Sequence, residues 1–156
     1  MQGDGEVIEL LNELLTVELT AINQHFLHAK MLENWGWTEL AEEFRKASMG
    51  EMKDCEEVID RILFLEGHPN LQRLGSVRIG EAPHEQLRLG FDTEAEAVAL
   101  LKRGIEVAQA KGDYGTRELL EHTLVGEEQD LHWFETQLGM VEALGEQLYL
   151  SRQFET

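Results

Sequence analysis

The chain is 156 residues long, 42% hydrophobic and formally −18 at pH 7, with 31 Asp and Glu against 13 Lys and Arg. That length suits one ordinary domain, expected over residues 1–156, and that charge argues against nucleic acid while favouring cations. No apolar run is long enough for a bilayer, the opening MQGDGEVIEL has no basic start of a signal peptide, and the lone Cys55 excludes an internal disulfide framework, so the cytoplasm is the expected address.

From about residue 5 to 34, Leu11, Leu15, Ile22 and Ala29 recur at spacings of four and seven, predicting an amphipathic helix with Asp4 as its cap. The break Trp35-Gly36-Trp37-Thr38 leads into a second helix carrying Leu40, Phe44, Ala47, Val58, Ile62 and Leu65, which ends at Glu66-Gly67-His68-Pro69. Residues 66–82, containing Gly67, Pro69, Gly75 and Gly80, read as a long connection, and Pro83 suits the first turn of a third helix with Leu87, Phe91, Val98, Leu101, Ile105 and Ala108. Lys111-Gly112-Asp113 separates it from a fourth, with Leu120, Leu124, Leu131, Phe134, Leu138 and Val141. Gly145 then sets off EQLYLSRQF, predicted as a short fifth helix.

The pattern is all-α, a four-helix bundle of two hairpins. At about 3.3 Å per residue the middle connection can reach ~56 Å, whereas a helix of about 28 residues is ~42 Å long. It can therefore cross the bundle end to end, and helices two and three can run parallel.

Each long helix puts a glutamate into its own core stripe. The inward series read Leu11, Leu15, Glu18, Ile22, His25; then Phe44, Ala47, Glu51, Asp54, Val58; then Leu87, Phe91, Glu94, Val98, Leu101; and finally Leu120, Leu124, Glu127, Leu131, Phe134. Glu18 and Glu51 are 33 positions apart, as are Glu94 and Glu127, so the hairpins repeat one layout. Folding them about residues 36–37 and 112–113 brings Glu18 level with 54 and 55, and Glu94 level with 131.

A buried, unpaired carboxylate costs several kcal/mol, and close like charges add to that. Few basic side chains share these stripes, His25 being the clearest. A pair of divalent cations bridged by oxygen ligands from facing helices is the simplest compensation. The rival reading shifts each helical phase by one residue and turns the acids to solvent; four acids with matched spacing weigh against it.

The runs LNELLTVELTAINQHFLHAKM (11–31), ILFLEGHPNLQRLG (62–75) and RIGE (78–81), together with Glu94 and Glu127, resemble bacterioferritin, the haem-containing branch of the ferritin family, over essentially the whole chain. The resemblance implies a ferritin-like four-helix bundle with a long crossover between helices two and three. It implies a hollow cage of twenty-four subunits storing ferric mineral, and a di-iron ferroxidase site at mid-bundle. By position, Glu51 and Glu127 would bridge, with Glu18 and Glu94 as terminal carboxylates.

The family motif is Glu-x-x-His on helices two and four, and here Asp54 and Asp130 stand at the two histidine positions. Glu18, Glu51, Asp54, Glu94, Glu127 and Asp130 are the expected metal set. Six ionised carboxylates leave two negative charges beyond what two divalent ions neutralise, and Asp reaches less far than His. His25, where the family usually has tyrosine, can replace one lost ligand but not both. The expectation is an impaired or inactive ferroxidase centre.

A second face of helix two, with Arg45, Met49, Met52 and Ile59, is rotated away from the acids, beside Leu19, Asn23 and Phe26 of helix one. Apolar residues there predict a dimer contact. The resemblance puts Met52 at the haem-ligand position, where two symmetry-related methionines would hold one haem b between subunits, with Met49 as the fallback. Cys55 reads as a small buried hydrophobe, and Trp35, Trp37 and Trp133 as packing groups.

The reading is a bacterioferritin cage subunit for iron storage, binding haem through Met52. Ferrous oxidation would come from a second bacterioferritin subunit in a mixed cage, iron release from a reductant protein, and neither nucleic acid nor membrane would be a partner. One rival is a self-sufficient ferroxidase using His25; another is a purely structural shell chain.

Overall fold

Asp4 starts the first helix: its Oδ1 accepts the backbone N–H groups of Glu6 (2.9 Å) and Val7 (3.4 Å), two of the donors that a helix N-terminus leaves unpaired. The structure, a computed structural model, describes residues 1–154. Its helices are α1 (Gly5–Asn34), α2 (Thr38–Phe64), α3 (Pro83–Ala110), α4 (Tyr114–Leu144) and α5 (Glu146–Leu150). Gly36 and Gly112 turn the chain between α1 and α2 and between α3 and α4 at φ of 93° and 71°, a region that glycine enters without strain. Asp113 caps α4 by accepting from Thr116 N, and its carboxylate is held by Arg61 Nη2 at 2.9 Å.

The contacts fix the directions. α1 and α2 are antiparallel, with Gly3 N donating to Leu65 O (2.9 Å) at one end and Ser48 Oγ to Ile22 O (2.9 Å) further along. α1 and α3 are also antiparallel, since Arg103 pairs with Glu13 at 2.8 Å while His25 meets Glu94. α2 and α3 therefore run parallel, and the 66–82 segment is the end-to-end crossover that its length allows.

One row of α1 holds that crossover. Asn12, Thr16, Thr20, Gln24 and His28 fall every fourth residue, and the segment meets each in turn. Asn12 donates to His68 O (3.1 Å) and accepts from Asn70 N (2.8 Å). Thr16 Oγ1 accepts from Arg73 Nε, and Thr20 Oγ1 from Gly75 N. Gln24 Oε1 accepts from Arg78 N, and His28 Nε2 from Gly80 N at 3.0 Å. A loop without internal secondary structure thus finds partners for its backbone N–H groups on a neighbouring helix.

The fifth helix is shorter than predicted: Ser151 to Phe154 leave it as turns. Trp37 gives α2 no side-chain cap, and the carbonyl of Gln153 accepts from Glu39 N at 2.9 Å instead. The tail trades helical continuation for capping another helix.

Two apolar clusters fill the bundle, one around Leu11, Leu14, Val58, Ile62, Leu101 and Leu120, the other around Leu32, Leu40, Phe44, Leu87, Phe134 and Tyr149. The sequence placed Ile22, Ala47, Phe91, Leu124 and Leu131 on the inward stripes; all are half-buried. Gly90 makes room for the Phe134 ring, into which a Cβ would collide. Gly90→Ala is expected to lose about 1–3 kcal/mol to overpacking, offset by about 1 kcal/mol of helix propensity. A lowered midpoint of chemical denaturation checks it.

Candidate metal centre

Between the two apolar clusters the stripes carry acids. Glu18 of α1, Glu51 of α2, Glu94 of α3 and Glu127 of α4 are all buried, none more than 2% exposed. Both oxygens of Glu18, both of Glu51, and Oε2 of Glu94 and of Glu127 have no hydrogen-bond partner. Asp54 and Asp130, each one turn beyond a helix-two or helix-four glutamate, are half-buried at the edge of the site.

These oxygens form overlapping groups. Glu18, Glu51, Asp54 and Glu127 bring one oxygen each within 4.8 Å of one another, and Glu51, Glu94, Glu127 and Asp130 do the same. Glu51 and Glu127 belong to both. A third group within the same span joins His25 to Glu51 and Glu94. The aspartates, though shorter than imidazoles, reach the glutamate clusters.

The electrostatics follow from burial and like charge. Burial, then the Asp54 and Glu127 charges, pushes Glu18 well above the usual carboxylate range. Glu51 is pushed up by burial and by Glu94, Glu127 and Glu18, and Glu94 chiefly by burial. Burial and Glu127 raise Asp54 to about 8 and Asp130 to about 6. His25 Nε2 lies 2.9 Å from Glu94 Oε1. Burial, with His28 nearby, holds His25 down to about 3, so this contact is a neutral hydrogen bond and not an ion pair. A neutral imidazole keeps a lone pair available for a metal.

The surrounding shell is aromatic. Phe134 stacks on the His25 ring at 5.7 Å, and Phe44 meets it edge-on at 6.1 Å. Trp133 packs against Phe134 at 5.0 Å. Cys55 is buried beside the acids, and burial and the Glu18 charge push its thiol up, away from the nucleophilic thiolate. Sequence reasoning passed over His28, buried one turn beyond His25. The signal was the spacing in HFLH, and its Nε2 serves the crossover at Gly80.

The donor set fits iron: hard carboxylate oxygens, one neutral imidazole, and buried orphan oxygens from four helices that require cations or protons. Met52 lies apart from it, on the outer face of α2. Its side chain is exposed, as are those of Met49 and Phe26, and the Arg45 guanidinium sits 6.0 Å from the Phe26 ring centre. Met52 and Met49 thus each present an accessible, polarisable thioether on this face.

The family model for the ferritin-like domain matches residues 8–144. The chain is 51% identical over 155 residues to a bacterioferritin of Streptomyces coelicolor, covering 99% of this chain and 93% of that protein. It is 50% identical over 149 residues to bacterioferritin BfrA of Mycobacterium tuberculosis, covering 96% and 94%. The solved structure of Mycobacterium tuberculosis bacterioferritin BfrA superposes with a TM-score of 0.97 at 48% identity, over 99% of this chain and 98% of that one. The match to the family model, the sequence identity over nearly the whole chain and the structural superposition agree, and the chain belongs to the bacterioferritin family.

Proposed function

We propose that this chain is an iron-storage cage subunit whose mid-bundle centre holds iron but oxidises Fe(II) poorly, and whose Met52 binds a haem shared with a second copy. The supporting observation is the convergence of four buried glutamates, one per long helix, with carboxylate oxygens that no protein group satisfies. Glu18, Glu51, Asp54 and Glu127 would hold one ion, and Glu51, Glu94, Glu127 and Asp130 the other. Neither group includes a nitrogen donor. Phe44 and Phe134 exclude water from the His25 side, and His25 and Glu94 hold one hydrogen bond between Nε2 and Oε1.

Fe(II) binding has to displace protons from Glu18, Glu51, Glu94 and Asp54, all raised, where the two family histidines would offer lone pairs that are free near neutrality. Ferrous oxidation is accordingly assigned to a second subunit type in a mixed cage of twenty-four chains, with a reductant protein driving release. Iron-edge anomalous scattering from crystals soaked in Fe(II) tests the centre: two peaks are expected among the four glutamates, and density confined to surface acids would sink the reading.

A bound haem would supply one-electron transfer between interior and exterior. Met52→Leu is expected to abolish the haem absorbance of the purified protein while Met49→Leu keeps it. Full absorbance in the Met52 variant removes that assignment.

A second reading is favoured by the group of His25 with Glu51 and Glu94: a self-sufficient ferroxidase in which that imidazole is the nitrogen ligand. Brisk Fe(II) turnover by this chain alone, lost in His25→Phe, would select it.

A further inference from the structure

The proposed mid-bundle centre offers six carboxylates, two more than a pair of divalent ions neutralises once all are ionised, and we infer that it binds a pair of trivalent cations, ferric iron being the physiological instance, in preference to divalent ones. The inference rests on the reading that these carboxylates hold iron, and it adds which charge state they retain.

With their protons displaced the six carboxylates supply six negative charges, which two trivalent ions balance and two divalent ions do not. A deficit is poorly tolerated here: Glu18, Glu51, Glu94 and Glu127 are no more than 2% exposed, and solvent screens little at that depth. Both oxygens of Glu18 and of Glu51 lack a hydrogen-bond partner, and no lysine or arginine is among the charges acting on either carboxyl. Each four-carboxylate group spans no more than 4.8 Å between its donor atoms, and the two groups share Glu51 and Glu127. The charges cannot be treated as separate sites. Donor chemistry points the same way, because anionic oxygens favour small, highly charged ions whereas borderline Zn(II) gains more from imidazole or thiolate. His25 adds one nitrogen at the Glu94 end but no negative charge.

Tb(III) and Zn(II) are suitable probes on the full-length assembled protein. Trp133 lies against Phe134, which stacks on His25, so Tb(III) in the bundle is close enough for tryptophan-sensitised emission. Glu51→Gln/Glu127→Gln, which removes both shared carboxylates, supplies the surface-binding background. The quantity read is the Zn(II) concentration that displaces half of the bundle Tb(III). Asp54→His/Asp130→His is expected to lower it by at least about tenfold, equivalent to ~1.4 kcal/mol. Asp54→Asn/Asp130→Asn keeps oxygen donors without the charge and should shift it in the same direction. Equal displacement in all three proteins, or an Asn variant that keeps the parent value, overturns the trivalent preference while leaving the metal centre intact. Sensitised emission no greater than in the Glu51→Gln/Glu127→Gln protein, with no Zn(II) bound above that background, defeats the metal-centre reading itself.

Discussion

Aerobic Fe(II) added to the purified homopolymer is expected to oxidise at least about tenfold more slowly than in the Asp54→His/Asp130→His variant, a barrier difference of ~1.4 kcal/mol or more. The reason lies in what Fe(II) must displace. Asp54, raised to about 8, is protonated at neutral pH in the metal-free centre, and burial and like charge push Glu18, Glu51 and Glu94 in the same direction. A dication entering this site competes with those protons and still leaves the carboxylates undercompensated. An imidazole at 54 or 130 offers a nitrogen lone pair and removes one negative charge. Stopped-flow ferric absorbance at two Fe(II) per chain measures the difference, with anaerobic Fe(II) binding measured in parallel. A homopolymer as fast as its double-histidine variant would show that carboxylates alone support the chemistry.

The helices and the position of the acids were legible because both follow from short-range rules. Gly36 and Gly112 mark reversals, Pro83 marks an N-terminus, and a glutamate at a stripe position stays on that stripe whatever the neighbouring helix does. The crossover's anchoring was not legible. Asn12, Thr16, Thr20, Gln24 and His28 form a polar row, and a polar row ordinarily faces solvent; only the path of residues 68–80 reveals it as a docking strip. The end of α5 was hidden for a similar reason. The competing demand came from the uncapped start of α2, more than 100 residues earlier in the chain. The reach of Asp54 and Asp130 was equally a tertiary matter, since side-chain length alone does not say how closely backbones approach.

Metal-free protein should lose stability as the pH rises from 6.5 to 8, and bound metal should reverse the trend. The sign comes from proton counts in the folded and unfolded states. Asp54 moves from 3.8 in the unfolded chain to about 8 in the fold, and Glu18, Glu51 and Glu94 also move up. The folded state therefore binds more protons, and the stability these acids provide below pH 4 is lost as pH climbs through their folded values. His25 and His28 oppose this at lower pH: held down to about 3 and about 4 from 6.5, they favour the fold above 6.5 and lose that contribution as pH falls. In the unfolded chain both histidines are half protonated at pH 6.5 and almost wholly neutral by pH 8, so their opposing contribution fades across the interval and leaves the acids to set the slope. Denaturant midpoints in chelator at pH 6.5, 7.25 and 8 should fall, and Asp54→Asn/Asp130→Asn should flatten the decline. Metal at a hundredfold excess over its dissociation constant adds about 2.7 kcal/mol, with tighter binding at higher pH because the ligands must ionise. A metal-free midpoint that climbs over this interval would mean that the buried acids are already charged and compensated, and the electrostatic case for a cation centre would lose its basis.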